Sequence, residues 1–273
     1  MPTATVNGVC LFYEMNGTAG VPLVLVHGSW DSHEAWNGIV LRLAESFHVV
    51  TYDRRGHSNS ERPAGQGSIH EDVADLAALI EYLGLAPAWI VGNSFGASIV
   101  LRLAGKRADL FRGLIGHEPP LFSLLRGDPD LQPFLEQLDH RFRLVVELIA
   151  SGDHPGGAEQ FADTVALGPG AWGAMPPQAQ QTLINNAPTF LDEARDPEQL
   201  TFDPKWLSTF SKQALLTLGD QSPPLFAPVV EKLAQALPNV EVRTFRGAGH
   251  IPHVSHPDAY AEAIIAFARK HTR

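Results

Sequence analysis

Cysteine is almost absent from this chain of 273 residues: Cys10 stands alone, so no disulfide can close within it and nothing points to an oxidising compartment. Charge is also sparse, at 18% of residues, and 20 basic against 30 acidic side chains give a formal charge of −10 with no block of lysines or arginines. That balance leaves no electrostatic footprint for nucleic acid and would repel an anionic membrane surface. No apolar run approaches the ~18 residues of a membrane span. The opening MPTATVNGVC has neither the basic start nor the apolar stretch of a signal peptide. Internal repeats and low-complexity tracts are missing too. These absences lead us to expect a cytoplasmic protein that meets a small molecule rather than nucleic acid or membrane; they leave the oligomeric state open.

Apolar residues, by contrast, make up 44% of the chain, enough to bury a substantial core. Two short β-rich pieces, TATV and VCLFYEM, flank Asn7-Gly8, a hairpin turn signal, and predict an opening antiparallel pair. Continuous apolar runs follow at 22–26, 47–52, 88–92, 111–116, 213–218 and 240–245. Short and not alternating, they read as parallel strands covered on both faces. Between most of them lie helical patterns, at 34–46, 69–83, 95–107, 224–237 and 257–271. Ser68 with Glu71 forms a capping box, Ser222 reads as an N-cap, and Pro257 opens the last helix. The alternation predicts an α/β fold: a doubly wound, mostly parallel, eight-stranded sheet. Residues 119–207 break the rhythm with helical patterns and Pro/Gly punctuation only, and are read as a helical cap inserted into a core of 1–118 and 208–273.

Within AWIVGNSFGASIV, Ser94 sits between Gly92 and Gly96 where a predicted strand meets a predicted helix. A side chain at 92 or 96 would collide with neighbouring backbone in so tight a turn, and the helix directs its positive end at charge developing near the hydroxyl. A serine is a poor nucleophile without a base, and the base needs a carboxylate to fix its tautomer. His250 in GAGHIPH follows the last predicted strand, and Asp220 in LLTLGDQSPP ends the one before it. Glu118 in LIGHEPP, at the end of the strand that precedes the cap, is a rival acid; Asp220 has the better context and is preferred. His250, His253 and His256 recur at every third residue, but prolines interrupt them and no carboxylate lies between, unlike a helical zinc motif, so no metal is expected.

Taken together, GNSFG, LGD, GAGH, LVLVHGSW and VVTYDRRGHSNS resemble the α/β-hydrolase fold superfamily over the whole chain apart from the insertion. The resemblance implies a Ser94, Asp220, His250 triad in that chain order and an oxyanion hole made by the backbone N–H groups of Ser29 and Phe95. His27, His57 and His117 then read as structural, with Asp53 and Arg55 bracing loops. Trp30, Phe122, Trp172 and His253 are candidates to line the substrate pocket, with core packing the competing role for the aromatics and surface exposure for His253. The expected chemistry is cofactor-independent hydrolysis of a carboxylic ester or lactone with a small to medium, largely hydrophobic body. Carbon–carbon bond hydrolysis, cofactor-free peroxidase or perhydrolase chemistry and lyase activity use the same constellation, and a lid-switched receptor with little turnover is the alternative outside enzymes.

Overall fold

The computed structural model describes residues 2–272. Eight strands form one sheet: β1 (Thr3–Val6), β2 (Val9–Asn16), β3 (Val21–Val26), β4 (Phe47–Tyr52), β5 (Ala88–Asn93), β6 (Phe111–His117), β7 (Gln213–Gly219) and β8 (Val240–Phe245). Their spatial order is β1-β2-β4-β3-β5-β6-β7-β8. Asn7 and Gly8, both at positive φ (49° and 77°), make the predicted hairpin turn. β2 pairs antiparallel with both β1 and β4, and the pairings from β4 through β3, β5, β6 and β7 to β8 are all parallel.

Alternate residues of the central strands supply two different cores, which is why those strands read as unbroken apolar runs. Val24 and Val26 of β3, with Ala88 and Ile90 of β5, belong to one layer. Leu23, Leu25, Trp89 and Val91 belong to the other. Helix α1 (Val40–Ala44) and the closing helices α9 (Pro252–Ser255) and α10 (Pro257–Lys270) cover the second layer. Helices α2 (Ile69–Tyr82) and α3 (Phe95–Lys106) cover the first. Ser68 and Glu71 form the expected capping box before α2.

Two helices depart from the sequence reading. The segment 34–46 divides into a short 3-10 turn at His33–Trp36 and α1. The helix read from 224 begins at Phe226, with Leu225 rather than Ser222 at its N-cap; Pro224 pushes Pro223 out of the helical region and delays the start.

Between His117 and Gln213 the chain adds no strand. It folds instead into α4 (Gln132–Ala150), α5 (His154–Phe161), α6 (Ala171–Ala174) and α7 (Pro177–Arg195). Their apolar faces meet in a third cluster that includes Val145, Ile149, Ala187 and Phe190, and Trp30 of the core reaches into it. A polar stripe on α7 ties these helices to the core. Asn186 Nδ2 donates to the carbonyls of Trp30 (3.1 Å) and Asp31 (2.9 Å), Thr189 Oγ1 donates to Gly56 O, and Asp196 Oδ2, just past the helix, accepts from Ile69 N at 2.7 Å. No helix among the described residues is long and apolar enough to cross a membrane.

Candidate active site

The order of connections reverses around β3 and β5, and a crevice at the carboxyl ends of such strands is where open α/β sheets bind ligands. The loop after β3 and the turn after β5 meet there: a Cβ built on Gly28 would lie 3.2 Å from Ser94 Cβ. Ser94 is the N-cap of α3 at φ 53°, ψ −122°, and its N–H donates to His117 O at 2.8 Å. Trp30 (φ 68°) and Glu118 (φ 44°) also hold positive φ, just after β3 and β6. Three non-glycine residues in this sparsely populated region ring one crevice, and such backbone strain concentrates at functional sites.

His250, in the loop after β8, lines the same cavity as Ser94. Its ring lies against Phe226 at a centroid distance of 4.5 Å and an interplanar angle of 18°, and Asn93 Nδ2 donates to its carbonyl at 3.1 Å. The carboxylate that meets this imidazole belongs to Glu118, whose Oε2 is 2.6 Å from His250 Nδ1. The other oxygen, Oε1, accepts from Gly219 N at 2.7 Å. Burial would raise the Glu118 carboxyl, but its hydrogen bond to His250 and the neighbouring His117 and His250 hold it below the usual carboxylate range.

This geometry corrects the preference for Asp220. That side chain is exposed, and its Oδ1 accepts from Gly247 N (2.7 Å) and Gln221 Nε2 (3.0 Å), so it closes the turn after β8 instead of facing the imidazole. The hydrogen bond from Asp220 N to Phe245 O continues the β7–β8 ladder, which leaves the short aspartate on the turn side. Glu118 ends the strand between β5 and β7, one place nearer the elbow, and its positive φ bends the chain out of the ladder.

The other predicted residues divide. Trp30 is buried, lines the cavity, and stacks on Phe161 and Phe190 at centroid distances of 5.0 and 4.7 Å. Phe122 lines a smaller apolar pocket on the far side of Ser94 and packs on Phe226. His253 lines the large cavity but is buried against Trp36 at 4.6 Å, not exposed at the surface. Trp172 lies among the cap helices and does not line either cavity beside Ser94. The N–H groups of Ser29 and Phe95 donate to no protein group among the described residues. His256 turns to Ser255, so the three histidines spaced by three do not converge. His117, Glu118 and His250 do bring one potential ligand atom each within 4.8 Å of one another. Glu118 and His250 there satisfy each other, which a cation would have to disrupt.

The large cavity holds about 460 Å³ and is lined by core loops and by the helical stretch between β6 and β7. The pocket beyond Ser94 holds about 50 Å³ and is walled by Phe95, Phe122, Phe142, Phe161 and Phe190 among others. Among the described residues, Asp31 and Glu34 bring the only carboxylates to the large cavity, and no lysine or arginine lines it. Burial raises the Asp31 carboxyl to about 6.

Residues 23–263 match the family model described as the alpha/beta hydrolase family. The chain belongs to that family. It is 27% identical over 288 residues to a protein called non-heme chloroperoxidase from Streptomyces lividans, covering 97% of this chain and 98% of that one. It is 32% identical over 151 residues to the uncharacterized hydrolase YraK of Bacillus subtilis, a match spanning 52% of this chain and only 55% of that relative. In fold it is similar to a thermophilic esterase from Thermogutta terrifontis, with TM-score 0.77, 24% identity, and coverage of 99% of this chain and 97% of that one.

Several residues of this hydrolase's site escape a reading by motif. Phe226 and Asn93 carry no signal of their own, and Asp31 looks like any loop aspartate. The polar stripe on α7 and just past it, Asn186, Thr189, Glu193 and Asp196, has helical spacings of 3, 4 and 3 that could have marked it, but spacing does not name its partners. His27 has the structural role expected of it: its Nδ1 donates to Gly28 O at 2.8 Å while its Nε2 accepts from Arg54 N at 3.0 Å.

The buried imidazoles lead to a prediction about acid. Desolvation above all lowers His27, His117 and His253 to about 3, at His117 against the opposing pull of the Glu118 charge, and holds His57 well below its ordinary value. In the unfolded chain each would bind a proton below about 6.5, whereas the folded protein refuses it. Stability contributed by these groups is therefore intact above pH 6.5 and lost as pH falls toward 3. Asp31 and Asp72, raised by burial, act in the opposite sense, so four histidines against two carboxylates leave about two protons taken up on unfolding. Stability read from urea unfolding should fall between pH 6 and 4 by about 2.7 kcal/mol per pH unit. A flat profile across that window would show these imidazoles to be charged in the folded state.

Proposed function

We propose that this α/β hydrolase cleaves a carboxylic ester or lactone by way of Ser94, with His250 as general base and Glu118 as the acid behind it. The observation that carries the reading is the 2.6 Å contact between Glu118 Oε2 and His250 Nδ1, made by an imidazole that lines one cavity with the serine of a strained strand-to-helix turn. Nδ1–H donates to the carboxylate, which leaves Nε2 free to accept the Ser94 proton as the hydroxyl attacks the carbonyl. The N–H groups of Ser29 and Phe95 receive the oxyanion, an effect worth roughly 3 kcal/mol per donor. The imidazolium then protonates the leaving alcohol, the acyl group remaining on Ser94. His250 next takes a proton from water, which attacks the acyl-enzyme and releases the acid, and Ser94 regains its proton.

A cavity of about 460 Å³ suits a small to medium substrate. Its two carboxylates, with no basic side chain beside them, disfavour substrates that carry a negative charge on that side. The apolar pocket beyond Ser94 favours a short hydrophobic acyl or alkyl group. A match of 33% identity over 134 residues to a protein called bifunctional esterase/perhydrolase favours perhydrolysis as a second reading, in which hydrogen peroxide replaces water at the acyl-enzyme.

A fluorophosphonate probe tests the nucleophile. The expected result is a single mass increment on Ser94 in the wild type, none in Ser94→Ala and little in His250→Ala. Labelling elsewhere, or equal labelling of folded His250→Ala, would defeat the reading. Short-chain esters and lactones assayed with and without peroxide then separate hydrolysis from perhydrolysis.

A further inference from the structure

We propose, on the basis of the hydrolase reading above, that Arg54 is a positioning residue for the oxyanion hole: it fixes and polarises the Gly28–Ser29 peptide and couples that peptide to the cap through Glu193. The starting point is that a backbone N–H belongs to the same peptide unit as the carbonyl of the preceding residue. The Ser29 N–H offered to the oxyanion is therefore electronically joined to Gly28 C=O. That carbonyl accepts from Arg54 Nη2 at 3.1 Å and from His27 Nδ1 at 2.8 Å. Hydrogen bonds in series strengthen one another, so donors on the carbonyl make the amide proton a better donor, and two of them at a buried carbonyl lock the plane of the peptide.

The same guanidinium also reaches the second oxyanion residue. Its Cζ lies 4.9 Å from the Phe95 ring centroid, so one buried cation touches both sides of the hole. Arg54 is only 1% exposed, and a cation so placed requires partners. Asp72 Oδ1 of α2 stands 3.1 Å from Nη1, and Glu193 Oε1 of α7 stands 2.5 Å from Nη2. Its neighbour Arg55 is engaged elsewhere, by Glu71 and Asp75 of α2. Glu193 shares its helix with Asn186, which holds the carbonyls of Trp30 and Asp31. Helix α7 thus grips the oxyanion loop at two places, directly through Asn186 and by way of Arg54 at Gly28. A displacement of the cap would be felt at the Ser29 amide before it reached the nucleophile.

A structural brace and an oxyanion-positioning group differ in what they change. A brace for the cap alters substrate binding, whereas a polarised amide acts only once negative charge has formed on the substrate oxygen. The test uses the full chain as Arg54→Met combined with Asp72→Asn and Glu193→Gln, which leaves no unpaired charge buried in the cluster. Also made are Arg54→Lys, which keeps the charge but offers one ammonium in place of a fork, and Glu193→Gln alone. Folding is read by thermal melting. The readouts are kcat and KM on a neutral short-chain p-nitrophenyl ester, and inhibition by an alkylboronic acid, whose tetrahedral adduct places an oxygen in the hole.

In the folded triple variant kcat should fall about 10- to 100-fold with KM within about threefold, less than the loss of a whole oxyanion donor. Boronate inhibition should weaken by a similar factor. Arg54→Lys, and Glu193→Gln, which loosens the guanidinium without removing it, should each fall between the triple variant and wild type. Unchanged kcat in a folded triple variant, or a raised KM with kcat intact, overturns the proposal. Should the triple variant not fold, wild-type kcat in folded Arg54→Lys overturns it equally. Ser94 labelling and turnover in the wild type report on the hydrolase reading itself, and the variant-to-wild-type ratios report on Arg54, so the two failures are distinguishable.

Discussion

Replacing Glu118 by glutamine should lower kcat about 10³- to 10⁴-fold, whereas Asp220→Asn should leave it within about threefold. The difference is a matter of which carboxylate has two donors to satisfy. Glu118 presents one oxygen to His250 Nδ1–H at 2.6 Å and the other to Gly219 N–H at 2.7 Å. A glutamine has one oxygen and one NH₂ for those two positions. If its oxygen stays on Gly219, the NH₂ faces Nδ1 and forces the imidazole into the Nε2–H tautomer, which cannot take a proton from Ser94. If the oxygen turns to His250, the NH₂ opposes the Gly219 N–H, and the imidazolium formed during attack loses its counter-charge. Either way the barrier rises by about 4 to 5.5 kcal/mol, at 1.36 kcal/mol per decade. Asp220 has no such place: exposed, it accepts from Gly247 and Gln221, and its removal should loosen one turn. Steady-state assays on folded variants decide the matter. A larger loss in Asp220→Asn than in Glu118→Gln would return the acid to the position that motif order favours.

That reversal marks the boundary of what the chain could say in advance. The sheet was legible because its central strands are buried on both faces, so Val24 and Leu25 must both be apolar and the run is continuous. The elbow was legible because steric exclusion acts through residue type, and glycine at 92 and 96 records it. The place of His250 beside the cavity was legible because its loop follows the last strand. The carboxylate that meets its ring was not, since the sequence records that both Glu118 and Asp220 end strands but not which strand end bends inward. The deciding quantity is a dihedral angle, φ 44° at Glu118, and glutamate carries no compositional sign of it. Trp172 was misplaced, and the burial of His253 missed, for a related reason: an aromatic or imidazole side chain has the same identity whether it lines a cavity, fills a cluster or lies at the surface. Charged groups were the least legible. Arg54 and Arg55 are adjacent and chemically identical, yet one reaches the loop after β3 and the other braces α2.

The elbow glycines carry the other large expected effect. A Cβ at Gly96 would stand 2.3 Å from Val26 O and 2.5 Å from His27 O. Neither carbonyl can retreat readily, since β3 is paired with β4 on one side and β5 on the other. Gly96→Ala must therefore push the start of α3 away from the sheet, and overpacking against fixed backbone should remove more than about 3 kcal/mol of stability. Set against the 5–15 kcal/mol typical of a folded domain, that would visibly deplete the soluble folded fraction. The surviving fraction should also be catalytically weak, because α3 carries Phe95 and its displacement widens the gap to the Ser29 amide. Gly116→Ala is the fitting control: it lies on the adjoining strand β6, but its nearest new contact is Leu216 Cδ2 at 3.4 Å, an ordinary separation. Its urea midpoint should correspond to within about 1 kcal/mol of wild type. Equal midpoints for Gly96→Ala and wild type, with turnover intact, would mean that helix and strand do not approach so closely, and the strained turn proposed to present Ser94 would lose its physical basis.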